Sequence, residues 1–220
     1  MVKHMSPDVT KALHYVFDPL CGWCYGAGRT VAALATAPEL KLNLLPSGLF
    51  SGDGARPMDH DFAAYAWSND QRIERLTGQR FSDRYRREVL ADTNQAFDSS
   101  AATVALTAVA LTEPGREPDA LKEIQQARYV DGKNITQVDT LIAMFWALGL
   151  NAAASLLEKF GADLVDANRD RIGRAQKLLQ TFDARGVPSF ILEQDGQQKL
   201  LHSSMAYSNP QAFIDQLSAS

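Results

Sequence analysis

Cysteine is scarce in this chain, with two residues in 220. Two cannot staple a disulfide-rich scaffold, and by themselves they cannot complete a four-ligand zinc site. Histidine is also thin: four in all, with His14, His60 and His202 scattered rather than spaced for a metal. No run approaches the roughly 18 apolar residues of a membrane span. Glycine and proline, 14 and 9, are too few for a collagen-like or disordered chain. An excess of basic charge is missing too. Lys and Arg number 22 against 26 Asp and Glu, for a net charge of −4, whereas a dedicated nucleic-acid binder is normally basic. There is no Gly-rich phosphate loop, no His-Glu-x-x-His pair and no nucleophile elbow. What remains is an ordinary globular composition, 45% hydrophobic and 22% charged. Its length suits one or two domains and can bury about 70% of the unfolded surface without a covalent staple.

At the N-terminus Lys3 is followed by Ser6, Pro7, Asp8 and Thr10 rather than by the apolar stretch of a secretory leader. Residues 1–4 read as a remnant of cloning, with Met5 as the expected native start. The expected compartment is the cytoplasm, or the periplasm if a leader was trimmed.

Residues 13–17 are a short apolar run closed by Asp18-Pro19, which predicts a buried strand. An Ala-rich, helix-compatible run over 25–36 stops before Pro38, and 41–45 alternates as a second strand. From 57 to about 160 the periodicity is helical with no convincing strand. The expected helices are 57–73, 82–93, 99–111, 118–129, 136–148 and 151–160. The one at 136–148 is apolar on most sides and is expected at the centre of this block. A long amphipathic helix over 163–185 then ends at Gly186, a natural C-cap. A strand at 189–192, a hairpin signal at Asp195-Gly196 and a partner strand at 199–202 follow. Asn209-Pro210 opens a last helix. The two outer segments form one sheet only if the helical block is an insertion. The expected organisation is an α/β domain of residues 5–54 and 163–220, interrupted by an all-helical domain at 55–162.

Cys21-Gly22-Trp23-Cys24 stands at the first strand-to-helix junction. One helical turn brings two such cysteines to a Cα separation of roughly 5–6 Å, within disulfide range. The first would sit where unpaired backbone N–H groups and the positive helix end converge, which favours thiolate, the attacking species in disulfide exchange. Cys24, one turn inside, can resolve a mixed disulfide. The blander readings are half of a zinc site, for which no second pair exists, or two inert buried thiols. A Cys-x-x-Cys beside a β-α-β pattern reads as redox.

With these residues on the page, the sequence resembles the DsbA family of thioredoxin-fold oxidoreductases, closest to leaderless, FrnE-like members described as predicted protein-disulfide isomerases. The resemblance rests on Tyr15-Val16-Phe17, on Asp18-Pro19-Leu20-Cys21-Gly22-Trp23-Cys24-Tyr25-Gly26 and on Gly186-Val187-Pro188-Ser189-Phe190. It implies a thioredoxin fold with a large all-helical insertion and thiol–disulfide exchange with Cys21 as nucleophile and Cys24 as resolving thiol. It also implies a cis peptide bond before Pro188, with Val187 offering backbone groups to an extended substrate. The Gly22-Trp23 pair differs from the Pro-His of the oxidising founder member, which puts strong oxidising power in doubt. No metal or dissociable cofactor is implied. The implied partners are protein or peptide thiols and disulfides, with glutathione or a thioredoxin system as candidate reductant. Nucleic acid and membrane are not expected, and a monomer is.

Other residues carry two readings each. Asp18 could tune a thiolate or simply form the turn before Pro19. Trp23 could contact substrate or pack on the helical block. Trp67, Phe145 and Trp146 are expected in the core. Arg72, Arg75, Arg80, Arg84, Arg86 and Arg87, interleaved with Asp70, Glu74, Asp83 and Glu88, read as solvated helix faces. Two rival functions remain open. One is a glutathione-dependent transferase or isomerase of the kappa type, whose reactive position is usually Ser. The other is a peptide-binding or chaperone surface without catalysis.

Overall fold

The computed structural model describes residues 11–218. The expectations for the cloning remnant and the start at Met5 lie outside them. β1 (Lys11–Phe17) is followed by α1 (Gly22–Gly26), α2 (Gly28–Ala35) and β2 (Leu40–Pro46). The insertion carries β3 (Arg56–Pro57), α3 (His60–Thr77), α4 (Asp83–Tyr85), β4 (Ala96–Phe97), α5 (Ser100–Thr112), α6 (Glu117–Tyr129), α7 (Val138–Ala147) and α8 (Asn151–Lys159). The chain closes with α9 (Ala162–Thr181), β5 (Ser189–Gln194), β6 (Gln197–Leu201), α10 (Ser204–Ser208) and α11 (Pro210–Ser218).

The sheet has the order β2-β1-β5-β6. β1 runs parallel to β2 and antiparallel to β5, and β5 and β6 form a hairpin. This is the arrangement that the resemblance implies, one mixed sheet with a largely helical block inserted between β2 and β5. β1 is central, and its apolar residues are buried on both faces. Leu13, Tyr15 and Phe17 join the large core with Val31, Leu34, Phe190 and Phe213. Val16 points to the other side, where Leu45, Ala175 and Ile191 pack with Leu178 and Phe182 of the α9 segment. The β5–β6 turn places Asp195 and Gly196 at positive φ, 51° and 75°, as a tight hairpin with this residue pair requires.

Several expectations need correction, among them the single helix at 82–93, which is α4 running into a π-helical turn at Arg86–Leu90. The insertion is not wholly helical, because β3 and β4 form a two-residue antiparallel ladder, Arg56 with Phe97 and Pro57 with Ala96. So short a pairing leaves no period to read. The run at 25–36 is two helices, with Ala27 serving as C-cap of α1 and N-cap of α2. The centre of the insertion is α5 rather than α7. Residues 102–109 are all buried, and its alanines let α6, α7, α8 and α9 approach one helix. α7 buries only Leu141, Met144 and Phe145; Trp146 is 44% exposed and donates Nε1 to Glu158 at 2.9 Å. Finally, α9 stops at Thr181, five residues before Gly186, because Asp183 takes φ 47° and Ala184 N donates to Leu179 O at 2.9 Å.

Candidate active site

Phe17 ends β1, and Asp18-Pro19-Leu20 turns the chain into α1. Cys21 is the N-cap, extended at φ −81° and ψ 116°, with no side-chain capping bond. Cys21 N donates to Asp18 O at 3.1 Å, and Tyr25 N closes the first turn onto Cys21 O at 3.1 Å, so the N–H groups of Gly22, Trp23 and Cys24 are those that a helix start leaves without an i−4 partner. Both cysteines are free thiols. Cys21 is 8% exposed and Cys24 is fully buried. Burial pushes the Cys24 thiol well above its ordinary value, and contact with Cys21 adds to the push. Side chains from both parts of the fold hold this stretch by its carbonyls. Tyr15 Oη donates to Cys24 O at 3.1 Å, Tyr129 Oη to Leu20 O at 2.8 Å and Gln79 Nε2 to Tyr25 O at 3.0 Å.

The second motif arrives from the far end of the sequence. The Val187–Pro188 peptide bond is cis. Cys21 Sγ donates to Val187 O at 3.7 Å, a long contact of the kind sulfur makes. Pro188 is buried and Val187 half-buried. Cys21, Cys24, Val187 and Pro188 therefore share one site although 166 positions separate Cys21 from Val187. Trp23 stands beside it, half-buried, edge-on to Tyr207 at 5.2 Å and under the Arg72 guanidinium at 5.8 Å.

Asp18 is fully buried and acts as a tie. Its carboxylate accepts from Leu20 N at 2.9 Å, Phe50 N at 3.1 Å and Ser99 Oγ at 2.8 Å. Burial raises its pKa, while these bonds and Arg128 pull it back. It joins the active-site turn to the loop after β2 and to the start of α5.

The residue that composition misplaced is Asp70. It sits in the run read as a solvated face, yet it is 4% exposed. The arginines of that run do face solvent. α3 crosses α1 over two glycines: a Cβ on Gly22 would lie 2.5 Å from Asp70 Oδ1, and one on Gly26 would lie 2.7 Å from Ile73 Cγ2. Tyr85 Oη donates to Asp70 Oδ2 at 3.0 Å. Behind it Arg128, 1% exposed, lies over the rings of Tyr85, Phe97 and Tyr129. The Gly-x-x-x-Gly spacing of Gly22 and Gly26 is the one sequence signal of this close crossing.

Burial pushes the Asp70 carboxyl from 3.8 up to about 7, against the opposing pulls of Tyr85 and Arg128. A carboxyl raised in the folded state binds its proton more tightly there than in the unfolded chain. Its contribution is fully present below pH 4 and is lost as pH rises to about 7. About 3 pKa units at about 1.4 kcal/mol each make this on the order of 4 kcal/mol. Asp70→Asn is therefore expected to melt above the parent at pH 8 and to lose that advantage near pH 4. Parallel thermal melts at the two pH values check it, and an advantage that is the same at both would refute the titration account.

Among the described residues no group of three or more His, Cys, Asp or Glu could hold a metal ion. Among them, too, no helix is long and apolar enough to cross a membrane.

The family model of the DSBA-like thioredoxin domain matches residues 12–214. Among solved structures, the cytosolic disulfide reductase DsbM from Pseudomonas aeruginosa is 32% identical, with a TM-score of 0.85 over 95% of this chain and 100% of that one. A structure of DsbM with GSH aligns at 29% identity and a TM-score of 0.82, with the same coverage. A protein from Nitrosomonas europaea, 19% identical, shares the fold at a TM-score of 0.74 over 94% of this chain and 98% of its own. No curated protein matches the chain.

Proposed function

The chain belongs to the DSBA-like thioredoxin family, and from that premise we propose that it is a cytoplasmic thiol–disulfide oxidoreductase working in the reducing direction. The observation that carries this reading is the asymmetric dithiol. Cys21 lies at the rim within reach of the Val187 carbonyl, and Cys24 is sealed beneath it. The Cys21 thiolate attacks a substrate disulfide, forms a mixed disulfide and expels one thiolate. Cys24 then attacks Cys21 Sγ, releases the second substrate thiol and leaves the Cys21–Cys24 disulfide. Two electrons have passed to the substrate, and two equivalents of a monothiol such as glutathione restore the dithiol. Val187 offers its carbonyl to an extended peptide, and Trp23 gives that peptide an apolar wall.

Reduction rather than isomerisation is the primary reading. The similarity to a cytosolic disulfide reductase supports it, and a structure of that protein with GSH supports glutathione as partner. Neither residue between the cysteines is charged, so no cation there stabilises a thiolate and makes the disulfide strongly oxidising.

The test is the reduction potential of the pair against a glutathione series, followed by Trp fluorescence. The expected midpoint lies near the roughly −270 mV of thioredoxin, far from the roughly −120 mV of DsbA. A midpoint at the oxidising end would reverse the direction, and no reversible two-electron transition would discard the reading.

A further inference from the structure

The helical insertion presents an acid to the backbone between the two cysteines. Asp70 Oδ1 packs so closely on Gly22 that a Cβ there would lie 2.5 Å from it, and Asp70 is only 4% exposed. The titratable and charged groups around it can be named. Tyr85 faces it from α4, Arg128 and Tyr129 from α6, and from α1 the backbone of Gly22, the residue next to Cys21, packs against it. Its own helix adds exposed Arg72 and half-buried Glu74. None of these forms an ion pair with it within salt-bridge distance among the described residues.

We propose that Asp70 is a positioning residue through which the insertion sets the redox poise of the Cys21–Cys24 pair, its ionised carboxylate opposing the Cys21 thiolate. This rests on the oxidoreductase reading above and gives it a direction. Two like charges in a desolvated site disfavour each other. Opposing the thiolate destabilises the dithiol relative to the disulfide, so the dithiol becomes the better reductant. The coupling is reciprocal. In the reducing half-reaction the substrate S–S bond breaks, the Cys21–Cys24 bond forms, and substrate leaves as one thiolate and one thiol. The negative charge beside Asp70 leaves with it, so Asp70 gives up its proton more readily in the oxidised protein. Because burial holds this carboxyl near neutrality, the reducing bias grows as pH rises through about 7.

Asp70→Asn keeps the size of the side chain and an acceptor for Tyr85. We expect its glutathione equilibrium constant to match the parent within about twofold at pH 6. At pH 9 it should lie about tenfold toward the dithiol, which is about 30 mV more oxidising. A difference that is equal at both pH values, or absent, leaves Asp70 a packing residue and overturns the proposal. A parent protein with no reversible transition overturns the oxidoreductase reading itself, so the two failures are distinct. Should D70N not fold, Tyr85→Phe serves. It leaves the carboxylate in place but removes the bond that favours its charge, so the inflection in the parent's potential–pH curve should move to higher pH. An unmoved inflection overturns the proposal.

Discussion

Cys21→Ser is expected to abolish disulfide turnover down to the uncatalysed rate, whereas Cys24→Ser is expected to halt the same reaction one step later. A serine hydroxyl stays protonated at neutral pH and does not replace a thiolate in exchange. In the proposed mechanism Cys21 alone meets the substrate, because it lies near Val187 O while Cys24 is fully buried. Without Cys24 the first attack still occurs, and the mixed disulfide persists until an external thiol cleaves it. With glutathione disulfide as substrate, C24S should gain one glutathione per chain by intact mass and release it on addition of a dithiol reductant. C21S should gain none. Glutathionylation of C21S at Cys24, or turnover by either variant at the parent's rate, would remove the assigned order of attack. Neither substitution should unfold the protein, since Cys to Ser changes one atom and neither thiol is in a disulfide. Far-UV circular dichroism of both variants provides that control.

The sequence made the sheet legible, because its strands carry their own punctuation. Asp18-Pro19, Asp195-Gly196 and Asn209-Pro210 each mark a boundary that the structure keeps within a residue or two. The link between the two cysteines and Pro188 could be read only through a resemblance, since Cys21 and Val187 are 166 positions apart. Three features escaped for physical reasons. Asp70 lies among exposed arginines on α3, and one buried position in four does not disturb a polar pattern. Its burial comes from a partner helix whose glycines invite approach. Trp146 looked like core because α7 is apolar nearly all round, but a helix at the outside of a bundle buries only the stripe it turns inward. The segment at 82–93 reads as one helix but is a short α-turn running into a π-helical turn at Arg86–Leu90. Periodicity cannot anticipate a change of hydrogen-bond register. The two thiols of the candidate site stand out by motif, while their surroundings depend on tertiary contacts that leave no local trace.

Arg171→Met is expected to cost about 3–5 kcal/mol, the range for stranding one partner of a buried ion pair. Arg171 and Glu117 form an ion pair in which both side chains are 8% exposed. Arg171 also donates to Thr107 Oγ1 at 3.0 Å and to Leu44 O at 2.8 Å. One guanidinium on α9 thereby binds α5, α6 and the edge strand β2, tying the sheet to the insertion that frames the cysteines. Methionine keeps the apolar stem but supplies no donor, so Glu117 is left in a dry site. Burial already raises the Glu117 pKa and Arg171 is what pulls it down, so in the variant that carboxyl rises further. The sign follows: the variant's deficit should be smaller at pH 5, where Glu117 can take a proton, and larger at pH 8. For a chain of this size, 3–5 kcal/mol corresponds to a fall in Tm of about 10 °C. Adding Glu117→Gln should recover part of the loss at pH 8 and little at pH 5, because it neutralises the charge that pH 5 already neutralises. If R171M melts within about 2 °C of the parent at pH 8, the pair only offsets its own desolvation, and the hold between sheet and insertion must reside in the apolar contacts of α5 with α9.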